Sequence, residues 1–168
     1  TWFPGLRLNV AERILAGDSD PGRVPGADDV MFVAVDERGR RRESTRGDAV
    51  AEVARVAAAL VDAGVQAGDR VAAWMPNTTE SMLLMLGAAS LGAVVSSCSP
   101  DFGADGVLDR FGQIEPTVLV AADGYSYAGR PHDRRGELAR IVEGLPSLRR
   151  LVVVPFLDDS PELGALAS

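Results

Sequence analysis

Arg70-Val71-Ala72-Ala73-Trp74-Met75-Pro76-Asn77-Thr78-Thr79-Glu80 opens the stretch that decides the fold, which runs on to Ser97. Arg70–Trp74 is a short apolar run without polar alternation, so it reads as a strand buried on both faces. Pro76 stops it, Asn77 with Glu80 has the spacing of a helix cap, and Thr78–Leu91 then reads as a helix. Ala93–Ser97 returns as a second strand. A strand, a helix and a strand in this order imply a parallel pair joined by a crossover helix, because a half-solvated antiparallel pair would alternate apolar and polar residues.

The pattern continues outward on both sides. Val107, Leu108, Phe111 and Ile114 line one face of a helix that stops before Pro116. Thr117–Ala122 is a strand, Asp133–Gly144 a helix with Leu138, Ile141 and Val142 inward, and Arg149–Pro155 a last strand. Toward the N-terminus, Thr45 and Asp48 have capping-box spacing, and Val50, Val53, Ala54, Ala57, Leu60 and Val61 recur at helical spacing up to Gly64. Val30–Asp36 and Arg41–Ser44 read as a hairpin turning at Gly39, Val10–Leu15 as a short helix capped by Asn9, and Asp18–Asp29 as a loop. The expected fold class is α/β, a mostly parallel sheet with helices on both faces, preceded by a short helix and a β-hairpin.

Composition narrows the function. The chain has 168 residues, 46% of them hydrophobic, enough for one domain with a sizeable core. A net charge of −7 argues against nucleic acid as a partner, since a polyanion calls for a basic face. The one basic cluster, Arg38-Gly39-Arg40-Arg41-Arg42, is accounted for by a solvated hairpin tip. The longest apolar run, Met82–Val95, falls short of the roughly 20 residues a bilayer span needs, so no membrane is expected. A single cysteine, Cys98, excludes an internal disulfide and a thiolate-rich zinc site, and a cytoplasmic location is expected. All 17 basic residues are arginine, which excludes a Walker-type phosphate loop and Schiff-base chemistry.

A parallel sheet binds ligands at the carboxyl ends of its strands, which here are followed by Met75–Thr79, Cys98–Gly103 and Asp123–Arg130. Met75-Pro76-Asn77 reads as a strand stop and a cap. In Cys98–Gly103, Pro100 fixes the chain, Asp101 can accept backbone N–H bonds and Gly103 permits a positive φ or a close backbone approach. The segment Asp123–Arg130 brings Tyr125, Tyr127 and Arg130 within a few positions. They could stack a base and neutralise a phosphate, or form a twisted surface connection with a solvated arginine. His132, the sole histidine, and Cys98 show no spacing that implies a dyad, so no catalytic residue and no metal ligand is nominated. Gly-x-Ser-x-Gly, His-Glu-x-x-His and Gly-x-Gly-x-x-Gly are all absent.

Three segments carry a family likeness: Trp2-Phe3-Pro4-Gly5 with Leu8-Asn9, Gly68-Asp69-Arg70-Val71 with Met75-Pro76-Asn77, and Ser96–Pro116. Together they resemble the N-terminal region of the adenylate-forming acyl-CoA synthetase superfamily, over Trp2 to about Val154. The resemblance implies an AMP-forming acid–CoA ligase that activates acetoacetate or a similar short acid, with ATP, Mg2+ and coenzyme A as cofactors. It implies that residues 1–29 are an N-terminal motif and loop. Residues 30–168 are then an incomplete α/β subdomain of a large N-terminal domain, whose partner is the remainder of the same polypeptide. A start at Thr1 on such a motif fits a piece of a longer protein. The family's phosphate loop and late adenylation lysine have no counterpart in a chain without lysine, so the chain alone is expected to be inactive.

In the related acetyl-CoA synthetases the loop equivalent to Cys98–Gly103 is Gly-Gly-Phe-like and touches the nucleotide end of coenzyme A. This sequence has Pro100-Asp101-Phe102-Gly103 there. The same relatives carry an Ala-Gly-Arg tripeptide whose arginine lies near the coenzyme A phosphates, and Ala128-Gly129-Arg130 matches it. The resemblance therefore implies cofactor contacts at Arg130, Tyr127, Ser99 and Pro100. A free-standing, non-catalytic α/β module that binds a nucleotide or a protein is the alternative.

Overall fold

The computed structural model describes residues 4–17 and 25–167. Trp2-Phe3 of the opening motif and most of the loop expected over Asp18–Asp29 lie outside the described residues. Four parallel strands form the central sheet: β3 (Arg70–Trp74), β4 (Val94–Cys98), β5 (Val118–Ala122) and β8 (Arg150–Val154), in the order β4-β3-β5-β8. Every residue of β5 is buried, and β3 is buried from Val71 to Trp74, as apolar strands in the middle of a covered parallel sheet should be.

Successive residues of β3 feed two cores. Ala72 and Trp74 pack with Leu119 and Ala121 against α4 (Ala104–Phe111) and α5 (Arg135–Glu143), through Val107, Phe111, Leu138 and Ile141. Val71 and Ala73 pack with Val118 and Val120 on the opposite face, against Leu60 of α2 (Arg46–Asp62) and Leu84 and Ala88 of α3 (Thr79–Ser90). Helices on both faces agree with the sequence reading.

The buried face of α2 differs from expectation by a small rotation. Ala49, Val53 and Leu60 point inward, with Val56 partly buried, whereas Val50 and Val61 are exposed. The cause lies on α3: a Cβ on Gly87 would meet Val56 Cγ1 at 2.6 Å, so the missing side chain at Gly87 is the space Val56 enters. Thr45 and Asp48 do form the expected capping box at the start of α2.

Ahead of the sheet, α1 (Val10–Ala16) starts at Asn9, whose side-chain oxygen accepts the N–H of Ala11 and of Glu12. Its amide nitrogen donates to Ala89 O at the end of α3, and Ala11 is fully buried beside Leu86 and Val53. The hairpin of β1 (Val30–Val35) and β2 (Arg41–Thr45) turns where expected. Asp36 Oδ1 accepts from the N–H of Arg38 and Arg40, and Gly39 takes the positive φ of 74° that closes the turn. A second hairpin, β6 (Gly124–Tyr127) and β7 (Arg130–Asp133), follows β5. Here the structure departs from the sequence reading, which began a helix at Asp133. Residues 130–133 are a strand, and α5 starts only at Arg135, whose N–H is accepted by Asp133 Oδ1.

Candidate functional site

The strands end together at Trp74, Cys98, Ala122 and Val154, so the loops named from the sequence share one edge of the sheet. After β3, Met75 is still buried and donates its N–H to Cys98 O at 3.3 Å. The helix cap falls one residue later than expected: Ser81 Oγ accepts the N–H of Thr78 and donates to Thr78 O, while Asn77 stays exposed. Between the ends of β3 and β4 and the start of α3 lies a recess of about 370 Å³, lined by Met75, Asn77, Met82, Met85, Cys98 and Ser99. Three methionines make it apolar and adaptable.

Ser99 thus borders a cavity, and Pro100 is buried behind it. The turn is closed by Phe102 N–H on Ser99 O at 3.2 Å, and Asp101 accepts no backbone N–H among the described residues, contrary to the sequence reading. Gly103 has φ −66° with open space around its Cβ position, so neither a positive φ nor a close approach explains it. Phe102 is half exposed under the Arg110 guanidinium, 4.5 Å from the ring centroid. Burial pushes the Cys98 thiol pKa up, with the nearby positive charge of Arg110 opposing it. A buried thiol shifted this way is poor in thiolate, and His132 lies instead against Tyr125, ring centroids 4.8 Å apart.

Beyond β5 the chain builds a polar platform. Asp123 is 2% exposed, and its carboxylate accepts the N–H groups of Phe156, Leu157 and Asp158 at 2.8–3.2 Å. It therefore ties the end of β5 to the segment that leaves β8. Gly124 follows because nothing larger fits: a Cβ there would meet His132 O at 2.3 Å. The tyrosines of the hairpin then separate in role. Tyr125 is occupied, with Arg134 donating to its hydroxyl at 3.1 Å and His132 stacked on its ring. Tyr127 is 67% exposed at the tip, paired with Arg130 across the strands.

Ala128 and Gly129 form the two-residue turn between them, with φ of 51° and 72°. Two left-handed residues give a turn of the I′ kind, which suits the twist of a hairpin. Alanine is an unusual first residue for it, and the strain is of order 1–2 kcal/mol. Both turn amides are taken by one carboxylate from the first hairpin, Glu37, with Oε1 3.0 Å from Ala128 N and Oε2 3.2 Å from Gly129 N. The Arg130 guanidinium is exposed and without a hydrogen bond or ion pair among the described residues. The four nominated residues thus form two groups, Ser99 and Pro100 after β4, Tyr127 and Arg130 after β5, with β3 between those strands. Asp123 and Glu37 went unnoticed in the sequence. A lone Asp between an apolar strand and a glycine was the available signal for the first, and Glu37 had none, since its partners are 91 and 92 residues away.

A second recess, about 390 Å³, lies among β2, α2 and α3. Arg42 pairs there with Glu80 at 2.8 Å and Arg55 with Glu52, and the remaining carboxylate, Asp48, is taken up by the cap of α2 at Thr45. Burial pushes the Glu80 pKa up, but the hydrogen bond from Arg42 helps bring it below the usual value. Among the described residues no group of three or more His, Cys, Asp or Glu side chains is placed to hold a metal. With no lysine in the chain either, the described residues offer no Mg2+–ATP site, and the resemblance assigns most of those contacts to the complete enzyme outside this chain. No described helix is long and apolar enough to cross a membrane.

A parallel sheet with its loops gathered at the carboxyl edge is the arrangement in which open α/β proteins bind their ligands. Residues 23–167 match the AMP-binding enzyme family, and the chain belongs to it. Among its relatives, acetoacetyl-CoA synthetase of Rattus norvegicus is 41% identical over 156 residues, covering 93% of this chain and 22% of the relative. Acetoacetyl-coenzyme A synthetase of Rhizobium meliloti (strain 1021) is 42% identical over 162 residues, covering 96% and 23%. The solved acetoacetyl-CoA synthetase from Streptomyces lividans superimposes with a TM-score of 0.87 at 40% identity, over 96% of this chain and 24% of that one. The chain spans less than a quarter of the length of these proteins.

Proposed function

We propose that this chain is the N-terminal part of an AMP-forming acid–CoA ligase for acetoacetate, working in the cytoplasm. The observation that carries the reading is the likeness to acetoacetyl-CoA synthetases along nearly the whole chain, in sequence and in fold. The reaction has two steps. The acetoacetate carboxylate attacks the α-phosphorus of ATP and pyrophosphate leaves. The coenzyme A sulfur then attacks the acyl carbon of the adenylate, loses its proton, and AMP leaves. Mg2+ supplies charge neutralisation on the phosphates, through residues outside this chain.

The chain's own part is recognition and scaffolding. Residues 1–29 are an N-terminal motif and loop, and 30–168 an incomplete α/β subdomain of a large N-terminal domain. Arg130 at the hairpin tip meets a coenzyme A phosphate: a guanidinium offers a fork of donors, and this one is exposed and unpaired among the described residues. Tyr127 beside it offers an exposed ring, and Ser99 with Pro100 shapes the wall at the end of β4.

The test uses two preparations. The complete polypeptide should catalyse acetoacetate-dependent ATP–pyrophosphate exchange and form acetoacetyl-CoA, while the 168-residue chain stays at background. Its coding sequence, read past Ser168, should contain a Thr-Ser-Gly-Thr-Thr-Gly-x-Pro-Lys-like stretch. Exchange by the short chain above a buffer control, or a reading frame without that stretch, would overturn the proposal.

A further inference from the structure

The contact between Glu37 and the turn at Ala128–Gly129 links the β1–β2 hairpin to the β6–β7 hairpin across 91 residues of sequence. Its geometry is two-pronged, one carboxylate oxygen to each amide. Two successive N–H groups of a turn form a concave pair of donors, which suits an anion. Glu37 itself is held from behind: Asp36 accepts the N–H of Arg38 and Arg40 and the Nε of Arg40 at 2.6 Å, so the turn carrying Glu37 has a fixed shape. Arg130 follows the clamped turn directly as the first residue of β7, opposite Tyr127, so a shift of the turn is passed to it first.

We infer that Glu37 is a positioning residue for Arg130: by occupying both turn amides it fixes the direction in which Arg130 leaves the hairpin. The inference rests on the proposed contact between Arg130 and coenzyme A. Two features single out Glu37 for this part. It stabilises a turn whose first residue is alanine, where an L side chain is strained. It also fills the amide pair with the protein's own carboxylate, so an arriving phosphate is directed to the guanidinium.

The complete polypeptide is assayed for the KM of coenzyme A and for kcat, with pyrophosphate exchange and thermal unfolding run alongside to expose folding defects. Glu37→Ala should raise the KM by about threefold to tenfold with kcat little changed, because the guanidinium must be ordered at the moment of binding. Glu37→Gln, which keeps one acceptor oxygen, should raise it less, and serves as the test if the alanine variant folds poorly. In an Arg130→Ala background, Glu37→Ala should have no further effect, since a residue acting through Arg130 has nothing left to position. If Arg130→Ala raises the KM but Glu37→Ala leaves it unchanged or lowers it, the positioning role is overturned while the coenzyme contact stands. An equal rise in both backgrounds overturns it too, because Glu37 would then act independently. No change in KM with Arg130→Ala removes the coenzyme contact itself, and the positioning role with it.

Discussion

Two carboxylates in this chain, Asp123 and Glu37, each accept backbone N–H groups from a distant segment, and they sit at opposite ends of the burial scale. Asp123 is 2% exposed and gathers three amides beyond β8; Glu37 is exposed and gathers two at a hairpin tip. Hydrogen bonds to an ionised acceptor are strong in isolation, but water competes for them at the surface and is largely excluded at the core. The same chemistry therefore does different work. Asp123 holds the fold together where the sheet ends, while Glu37 adjusts one turn.

The largest expected effect breaks the buried member of the pair. Asp123→Ala leaves three amides without their acceptor, and should cost about 3 kcal/mol or more of stability in chemical denaturation. A loss below about 1 kcal/mol would mean that water replaces the carboxylate freely and that burial does not distinguish the two sites. Asp123→Asn keeps one acceptor oxygen and should lose about 1–2 kcal/mol. Glu37→Ala should cost less than about 1 kcal/mol, as expected for an exposed interaction. A loss equal to that of Asp123→Ala would show the hairpins to be a structural unit and not an adjustable tip.

Cys98, at the end of β4, gives an independent readout of the core on the α4–α5 face of the sheet. Because burial raises its pKa, the thiolate is scarcer at pH 8 in the native chain than in the unfolded one. The sign for stability follows: the thiol's contribution is full below its unfolded-state pKa and falls as the pH rises through the folded one. Labelling by a thiol reagent at pH 8 should be slow in the native protein, faster in Asp123→Ala, and unchanged in Glu37→Ala. Rapid labelling of the native chain would contradict the buried placement.

The central strands were legible because burial on both faces leaves little choice of residue. Arg70–Trp74 and Val118–Ala122 are apolar in nearly every position, and both strands and their helices were read with ends within a residue or two. The face of α2 was less legible, since Val50 and Val53 are equally apolar and only Gly87 on α3 decides which side packs. The β6–β7 hairpin was hidden for a different reason. Its sequence is polar, its turn begins with alanine where asparagine or glycine would advertise it, and the carboxylate that supports it comes from the other hairpin. The candidate site followed the same division. The carboxyl-edge loops were found from topology, but the roles of Asp123 and Glu37 depend on partners far along the chain, and that of Tyr125 on the β6–β7 hairpin that brings His132 and Arg134 to it.

The measurement that bears most directly on the account is the KM for coenzyme A of Arg130→Ala in the complete polypeptide. A charge-assisted contact with a phosphate is worth roughly 1.5–3 kcal/mol, so the KM should rise about tenfold to a hundredfold. Acetoacetate-dependent pyrophosphate exchange, run on the same preparation, separates this from a folding defect. An unchanged KM would contradict the account, returning Arg130 to the solvated surface and leaving the hairpin tip without a ligand.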